Sequence, residues 1–225
     1  SDVYKRQILN AIADIYGMNK NQIVVGNGAA ELLYAICRLP GYTGAFVPAP
    51  GFSEYKAALE ASRIPVRDIY YRPREDEHGK PYFEVPYLAL ETFAAELKGQ
   101  DGRIIVFLGN PNNPDGTLLD KNHIRTIASM LKDANSLLVI DESFIDFVGN
   151  DTLQDNEYSM RSLVNEFDNI IVVHSFTKFY AVPGLRIGAA FSNPLIIEQL
   201  NSFIPTWSVN TLAQSYTCLL YTSPS

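Results

Sequence analysis

Cysteine and histidine are scarce in this chain. Cys37 and Cys218 stand far apart in the 225 residues and form no CxxC pair. Each lies in an apolar stretch of helical spacing, which predicts buried free thiols rather than a redox site. His78, His123 and His174 show no metal-ligand spacing with one another or with cysteine, so no metal is expected. No apolar run approaches the roughly 20 residues needed to cross a bilayer, and no signal-peptide pattern opens the chain. Basic residues are outnumbered: 18 Lys and Arg stand against 25 Asp and Glu, for a net charge of -7. That balance disfavours nucleic acid or an anionic membrane as the main partner, but not a small anion held by local dipoles and one or two arginines. A reducing cytoplasm fits the cysteine usage. The opening SDVYKRQ and the closing LLYTSPS resemble translated adapter sequence, and the natural protein is expected to extend beyond both ends.

Hydrophobic residues make up 47% of the chain and charged residues 19%, as in an ordinary globular protein. Apolar periodicity alternates between helical and extended segments. Helices are expected over 4–16, 29–39, 53–62, 86–98, 120–133 and near 158–166. Pro86 suits a first turn and Asp120 suits an N-cap. Strands are expected at 23–25, near 44–48, and at 64–69, 104–108, 137–140, 170–173 and 187–191. The polar stretch 72–80 reads as an exposed excursion. Such alternation predicts an α/β domain of three layers, a mainly parallel sheet with helices on both faces. Ligands of such sheets gather at the carboxyl ends of the strands.

Four loops at those ends carry unusual residues. Gly26-Asn27-Gly28-Ala29-Ala30-Glu31 joins a strand to a helix and reads either as a phosphate cradle or as a tight turn. Asn110-Pro111-Asn112-Asn113-Pro114-Asp115-Gly116 is locked by its prolines, and reads as a donor-rich site or as an elaborate surface turn. Asp141 and Glu142 end an apolar strand, where a partly desolvated carboxylate needs a cationic or hydrogen-bonding partner. A metal could be that partner, as in nucleotide hydrolases, but no GxxxxGK[ST] stands in the chain. Lys178, within His174-Ser175-Phe176-Thr177-Lys178-Phe179, is flanked by apolar residues. It should be desolvated and nucleophilic, unless it is a snorkelling structural lysine. Ser175 and Arg186 could bind a phosphate on the same side.

In this order, NPNNPDG, IDESFIDF and SFTKFYAVPGLRIG resemble the motifs of the aspartate-aminotransferase superfamily of fold-type I pyridoxal-phosphate enzymes, within it the histidinol-phosphate aminotransferase group. The resemblance runs from about Ile8 to Gln214. It implies pyridoxal 5'-phosphate as cofactor and assigns Lys178 as the amine that holds it covalently. Asp141 would face the protonated pyridine nitrogen, Asn113 would bond the phenolic oxygen, and Phe52 would stack on the ring. The backbone at Ala29 and Ala30, with Ser175, Arg186 and Thr177, would take the phosphate. It also implies a homodimer acting on a small phosphorylated amino acid or amine, with residues 1–20 a remnant of the N-terminal region, 21–205 the cofactor domain and 206–225 leading toward a small domain. The N-terminal arm and the arginine that grips the substrate carboxylate are expected outside these residues.

GNGAAEL, the phenylalanine of DESFIDF and the run Pro205-Thr206-Trp207-Ser208-Val209-Asn210 resemble the decarboxylases of the group. They imply conversion of L-threonine O-3-phosphate to aminopropanol phosphate in cobalamin biosynthesis, with transamination of histidinol phosphate or a related amino acid as the alternative. Phe144 stands where transaminases commonly carry a tyrosine, and Asp115 replaces a usual threonine, a change expected to act only on the turn. A non-catalytic pyridoxal-phosphate domain of a regulator is an alternative of another class, with no helix-turn-helix or basic segment to support it. A nicotinamide dehydrogenase would leave NPNNPDG and Lys178 without a role.

Overall fold

Side chains on a strand point alternately to its two faces, and here both faces are apolar. In β6 (Arg103–Gly109), Val106 and Leu108 enter one core while Ile105 and Phe107 enter another. The same division runs through β7 (Leu137–Asp141) and β8 (Ile170–Ser175), where Ile140 and Val172 face one way and Val139 and Val173 the other. Strands of this kind must be covered on both sides. In the computed structural model, which describes residues 2–99, 101–149, 156–213 and 215, helices supply both covers.

One face packs against α1 (Asp2–Tyr16), α4 (Tyr87–Glu96) and α5 (Lys121–Asp133), through residues such as Ile12, Leu90 and Ile127. The other packs against α2 (Gly28–Ile36), α3 (Ser53–Ala61) and α7 (Pro194–Phe203), through Leu33, Leu59 and Leu200. The remaining strands of this sheet are β1 (Ile23–Gly26), β2 (Tyr42–Ala49), β3 (Val66–Tyr70) and β9 (Gly188–Phe191). The seven strands lie in the order β1-β9-β8-β7-β6-β2-β3, and β9 alone runs antiparallel to its neighbours. The three-layer α/β architecture expected from the sequence is the one formed.

Several elements differ in detail. The exposed excursion is a hairpin of β4 (Arg72–Glu75) and β5 (Pro81–Glu84), closed by Asp76, whose Oδ1 accepts from the His78 and Lys80 amides at 2.9 and 2.8 Å. Pro86 immediately precedes the first residue of α4 instead of lying within its first turn. The helix expected near 158–166 is only a 3-10 turn, Arg161–Asn165. Its entry is drawn away from helical geometry by the buried Glu142 carboxylate, which accepts from the Met160 amide and the Ser159 hydroxyl, both at 2.6 Å. Asp120 caps α5 as expected, accepting from the Asn122 and His123 amides. Cys37 is buried just past α2, and burial pushes its thiol up to about 12; Cys218 lies outside the described residues.

Candidate active site

The carboxyl edge of the sheet brings together four loops that are distant in sequence. At the junction of β1 and α2, Gly28 has φ +78, a left-handed backbone that residues with a Cβ adopt at a cost. A Cβ there would lie 2.5 Å from Arg186 Nη2, so the guanidinium rests against this turn. A Cβ on Gly188 would lie 2.6 Å from the Ala29 amide nitrogen, so β9 also approaches the start of α2 as only glycine permits. The first-turn amides of α2, including those of Ala29 and Ala30, have no helical acceptor and carry the positive end of the helix dipole. With Arg186 beside them they could hold a dianion. Arg186 is exposed and itself left-handed at φ 54, as is Ala181 at φ 52. Two such residues in one loop mark a backbone held by its surroundings.

Asp141, at the end of β7, is 6% exposed. Its Oδ2 accepts from the Tyr55 hydroxyl at 2.9 Å, and its Oδ1 accepts from the Ser143 amide at 2.9 Å and the Ser143 hydroxyl at 2.6 Å. Burial, and then the neighbouring carboxylate, hold the Tyr55 phenol well above the usual tyrosine range, so it stays a donor. Phe52, half-buried at the head of α3, meets the Tyr55 ring edge-on at 5.6 Å.

The asparagines after β6 divide by role. Asn110 is fully buried, donating to Glu142 Oε1 and to the Tyr158 carbonyl while accepting from the Leu119 amide. Asn112 donates to the Pro50 carbonyl and to Asp115, tying this loop to the one that carries Phe52. Asp115 also accepts from the Thr117 hydroxyl at 2.8 Å, the turn role expected of it. Asn113 is half-buried, and its amide has no hydrogen-bond partner among the described residues. It is the asparagine left available to a ligand.

Lys178 lies on α6 (Phe176–Phe179), a single turn following β8. The expected desolvation is not what the structure has: Lys178 is exposed, with Nζ 4.5 Å from the centre of the Phe144 ring. Its apolar neighbours divide, because Phe176 turns into the core while Phe179 stays 41% exposed against Phe147. Phe144, where a tyrosine was the alternative, thus offers Lys178 a ring face, which attracts a cation. Ser175 and Thr177 are buried, and their hydroxyls pair with each other at 2.8 Å.

Sequence reasoning missed the contacts that hold these loops. Tyr55 carried no expectation of its own. Ser208 bonds Glu31, which accepts from the Asn27 amide at 2.7 Å, and Asn210 donates to the Leu185 carbonyl at 2.9 Å, so the segment after α7 braces the cradle from two sides. Near the end of β8, His174 Nε2 lies 2.9 Å from Asp146 Oδ2 and 3.1 Å from the Tyr16 hydroxyl. Burial raises the Asp146 pKa, but His174, Tyr16 and Arg161 outweigh it and hold the carboxyl below its usual range. The signals were present as Tyr16, Tyr55, Asp146 and Ser208, yet nothing local in sequence pairs them.

The edge therefore combines an anion cradle, a buried carboxylate, an amine, a half-buried ring and an available amide donor. Comparison with known proteins agrees. The model of the family described as Aminotransferase class I and II matches residues 4–220. The adenosylcobalamin biosynthesis bifunctional protein CobDQ of Leptospira interrogans is 35% identical over 201 residues, covering 89% of this chain and 21% of that protein. A Caldanaerobacter subterraneus protein provisionally designated threonine-phosphate decarboxylase is 31% identical, covering 95% of this chain and 54% of its own. Histidinol-phosphate aminotransferase 1 of Psychrobacter arcticus is 30% identical, covering 90% and 49%. The chain thus spans about half the length of the last two relatives. Among solved structures, the histidinol-phosphate aminotransferase of Clostridium acetobutylicum superposes with a TM-score of 0.81 at 23% identity, over 99% of this chain and 60% of that one. With this edge geometry and a family model matched over nearly its whole length, the chain belongs to the class I and II aminotransferases.

Proposed function

We propose that residues 21–205 of this chain are the cofactor-binding domain of a pyridoxal-phosphate enzyme that decarboxylates L-threonine O-3-phosphate. The observation that carries the cofactor reading is the meeting of Arg186 with Gly28 at the start of α2, on the same sheet edge as buried Asp141 and exposed Lys178. The donor set fits the cofactor group by group. The amides of Ala29 and Ala30 with Arg186 would take its phosphate. Ser175 and Thr177 would add hydroxyl donors once their mutual bond opens. Asp141, held as an acceptor by three donors, would face the pyridine nitrogen, and Asn113 would donate to the phenolic oxygen. Phe52 would cover a ring face.

When bound, pyridoxal phosphate supplies an electron sink for a bond breaking at the substrate's Cα. Asp141 serves that chemistry by keeping a proton at the ring nitrogen. Lys178 provides the amine that holds the cofactor and, once released, a group able to move a proton at Cα. Phe144 presents a hydrocarbon face to this amine and donates no hydrogen bond.

Phe144 and the braced segment Pro205–Asn210 support decarboxylation, as do the relatives from Leptospira and Caldanaerobacter. The histidinol-phosphate aminotransferase relative supports the second reading, transamination of histidinol phosphate. One measurement tests the cofactor and a second separates the two reactions. Borohydride reduction of the chain with pyridoxal phosphate should fix the cofactor on Lys178, read by peptide mass, and a chain that fixes none there sinks the cofactor reading. Release of CO2 from L-threonine O-3-phosphate without any 2-oxo acid supports the decarboxylase. Turnover of histidinol phosphate that requires a 2-oxo acid replaces it, and turnover of neither removes the reaction from this chain.

A further inference from the structure

Tyr55 touches two of the residues assigned to the cofactor, yet has no assigned role of its own. It is 1% exposed, on the first turn of α3, and its ring stacks on Phe107 at 5.2 Å with the planes 17° apart. This fixes the direction of its hydroxyl, which donates to Asp141 Oδ2 at 2.9 Å. Ser143 holds the other oxygen through its amide and its hydroxyl. A buried carboxylate without such donors would be costly to keep charged. With them, both oxygens are anchored on the protein side and the carboxylate plane cannot turn. The edge of the same phenol meets the Phe52 ring at 87°.

We propose that Tyr55 is a positioning residue which, with Ser143, locks Asp141 as an oriented carboxylate for the cofactor's ring nitrogen and sets the Phe52 ring from the same point. The proposal rests on the cofactor reading above. Tyr55 itself touches no reacting atom, and Ser143 holds the opposite oxygen from a different loop, so the two act through Asp141 independently.

The test is titration of the chain with pyridoxal 5'-phosphate, following the visible band of the bound cofactor, with melting of the cofactor-free chain as a control for folding. Tyr55→Phe keeps the ring on Phe107 and removes only the donor. Its affinity should fall about tenfold, the size expected of one hydrogen bond to a charged group, and the visible band should shift. In an Asp141→Asn background the same substitution should cost less than about threefold, because a neutral amide gains less from the donor. Affinity and band unchanged in Tyr55→Phe would overturn the proposal, as would an equal loss in both backgrounds, which would assign the effect to packing. Should Tyr55→Phe not fold, Ser143→Ala removes the hydroxyl donor while the amide stays on the other oxygen; a fall in affinity that disappears in the Asp141→Asn background supports the proposal, and a match to the unsubstituted chain overturns it. An unsubstituted chain with no band that borohydride fixes on Lys178 overturns the cofactor reading and this proposal together.

Discussion

A methyl group at Gly28 would have to displace Arg186 and adopt a backbone that favours glycine. Gly28→Ala is therefore expected to cost about 1–3 kcal/mol of stability, measured by urea unfolding, and to weaken pyridoxal-phosphate affinity in the same variant. Asp146 makes a different kind of residue-level claim. Its carboxyl is held below the usual range in the folded chain, so the stability it contributes is full above the unfolded value, about 3.9, and is lost as the pH falls through the lower folded one. Asp146→Asn should lower stability at neutral pH and flatten the acid limb of a stability–pH curve, and an unchanged limb would reject the assignment. Single residues were also where the sequence was least decisive. Three asparagines in one loop look alike as letters, so Asn113 was singled out by the resemblance alone; in the fold Asn110 and Asn112 are taken up by protein partners. The setting of Lys178 was misjudged because flanking apolar residues do not bury a side chain that a one-turn helix points outward.

Among the elements, strands were legible because β6, β7 and β8 are apolar on both faces, a pattern that survives without any knowledge of neighbours. Helices were legible where a cap and a periodic face coincide, as at Asp120. At α7 no helix was expected, since Asn193-Pro194 signals a turn as readily as a start. In the fold Asn193 accepts from the Leu195 and Ile196 amides and caps it. Asn193→Ala should cost about 1 kcal/mol, seen as an earlier urea midpoint with an unchanged slope. The 3-10 turn at Arg161–Asn165 was illegible for the opposite reason, because Glu142, which diverts its backbone, is far away in sequence.

For the molecule as a whole, a ligand that binds only the folded chain stabilises it by mass action. At one hundred times its dissociation constant, pyridoxal phosphate should add about 2.7 kcal/mol. The melting midpoint should rise accordingly, and much less in Lys178→Ala, where the covalent part of binding is gone; no rise in the unsubstituted chain would count against the cofactor. Among the described residues no helix is long and apolar enough to cross a membrane.

The antiparallel course of β9 has a consequence for how the molecule comes together. Because β9 opposes its neighbours, its first residue lies at the edge where they end, and a short loop suffices to return Arg186 to the turn begun by β1 and α2. The cradle is thus a contact between Gly28 and Arg186, far apart in sequence, that needs β9 in place between β1 and β8. Such non-local contacts are formed at a high entropic cost. A chain with only its first half in place would own the amides but not the guanidinium, so its grip on phosphate would report the completion of folding, much as a clasp closes only when the whole strap has been passed around.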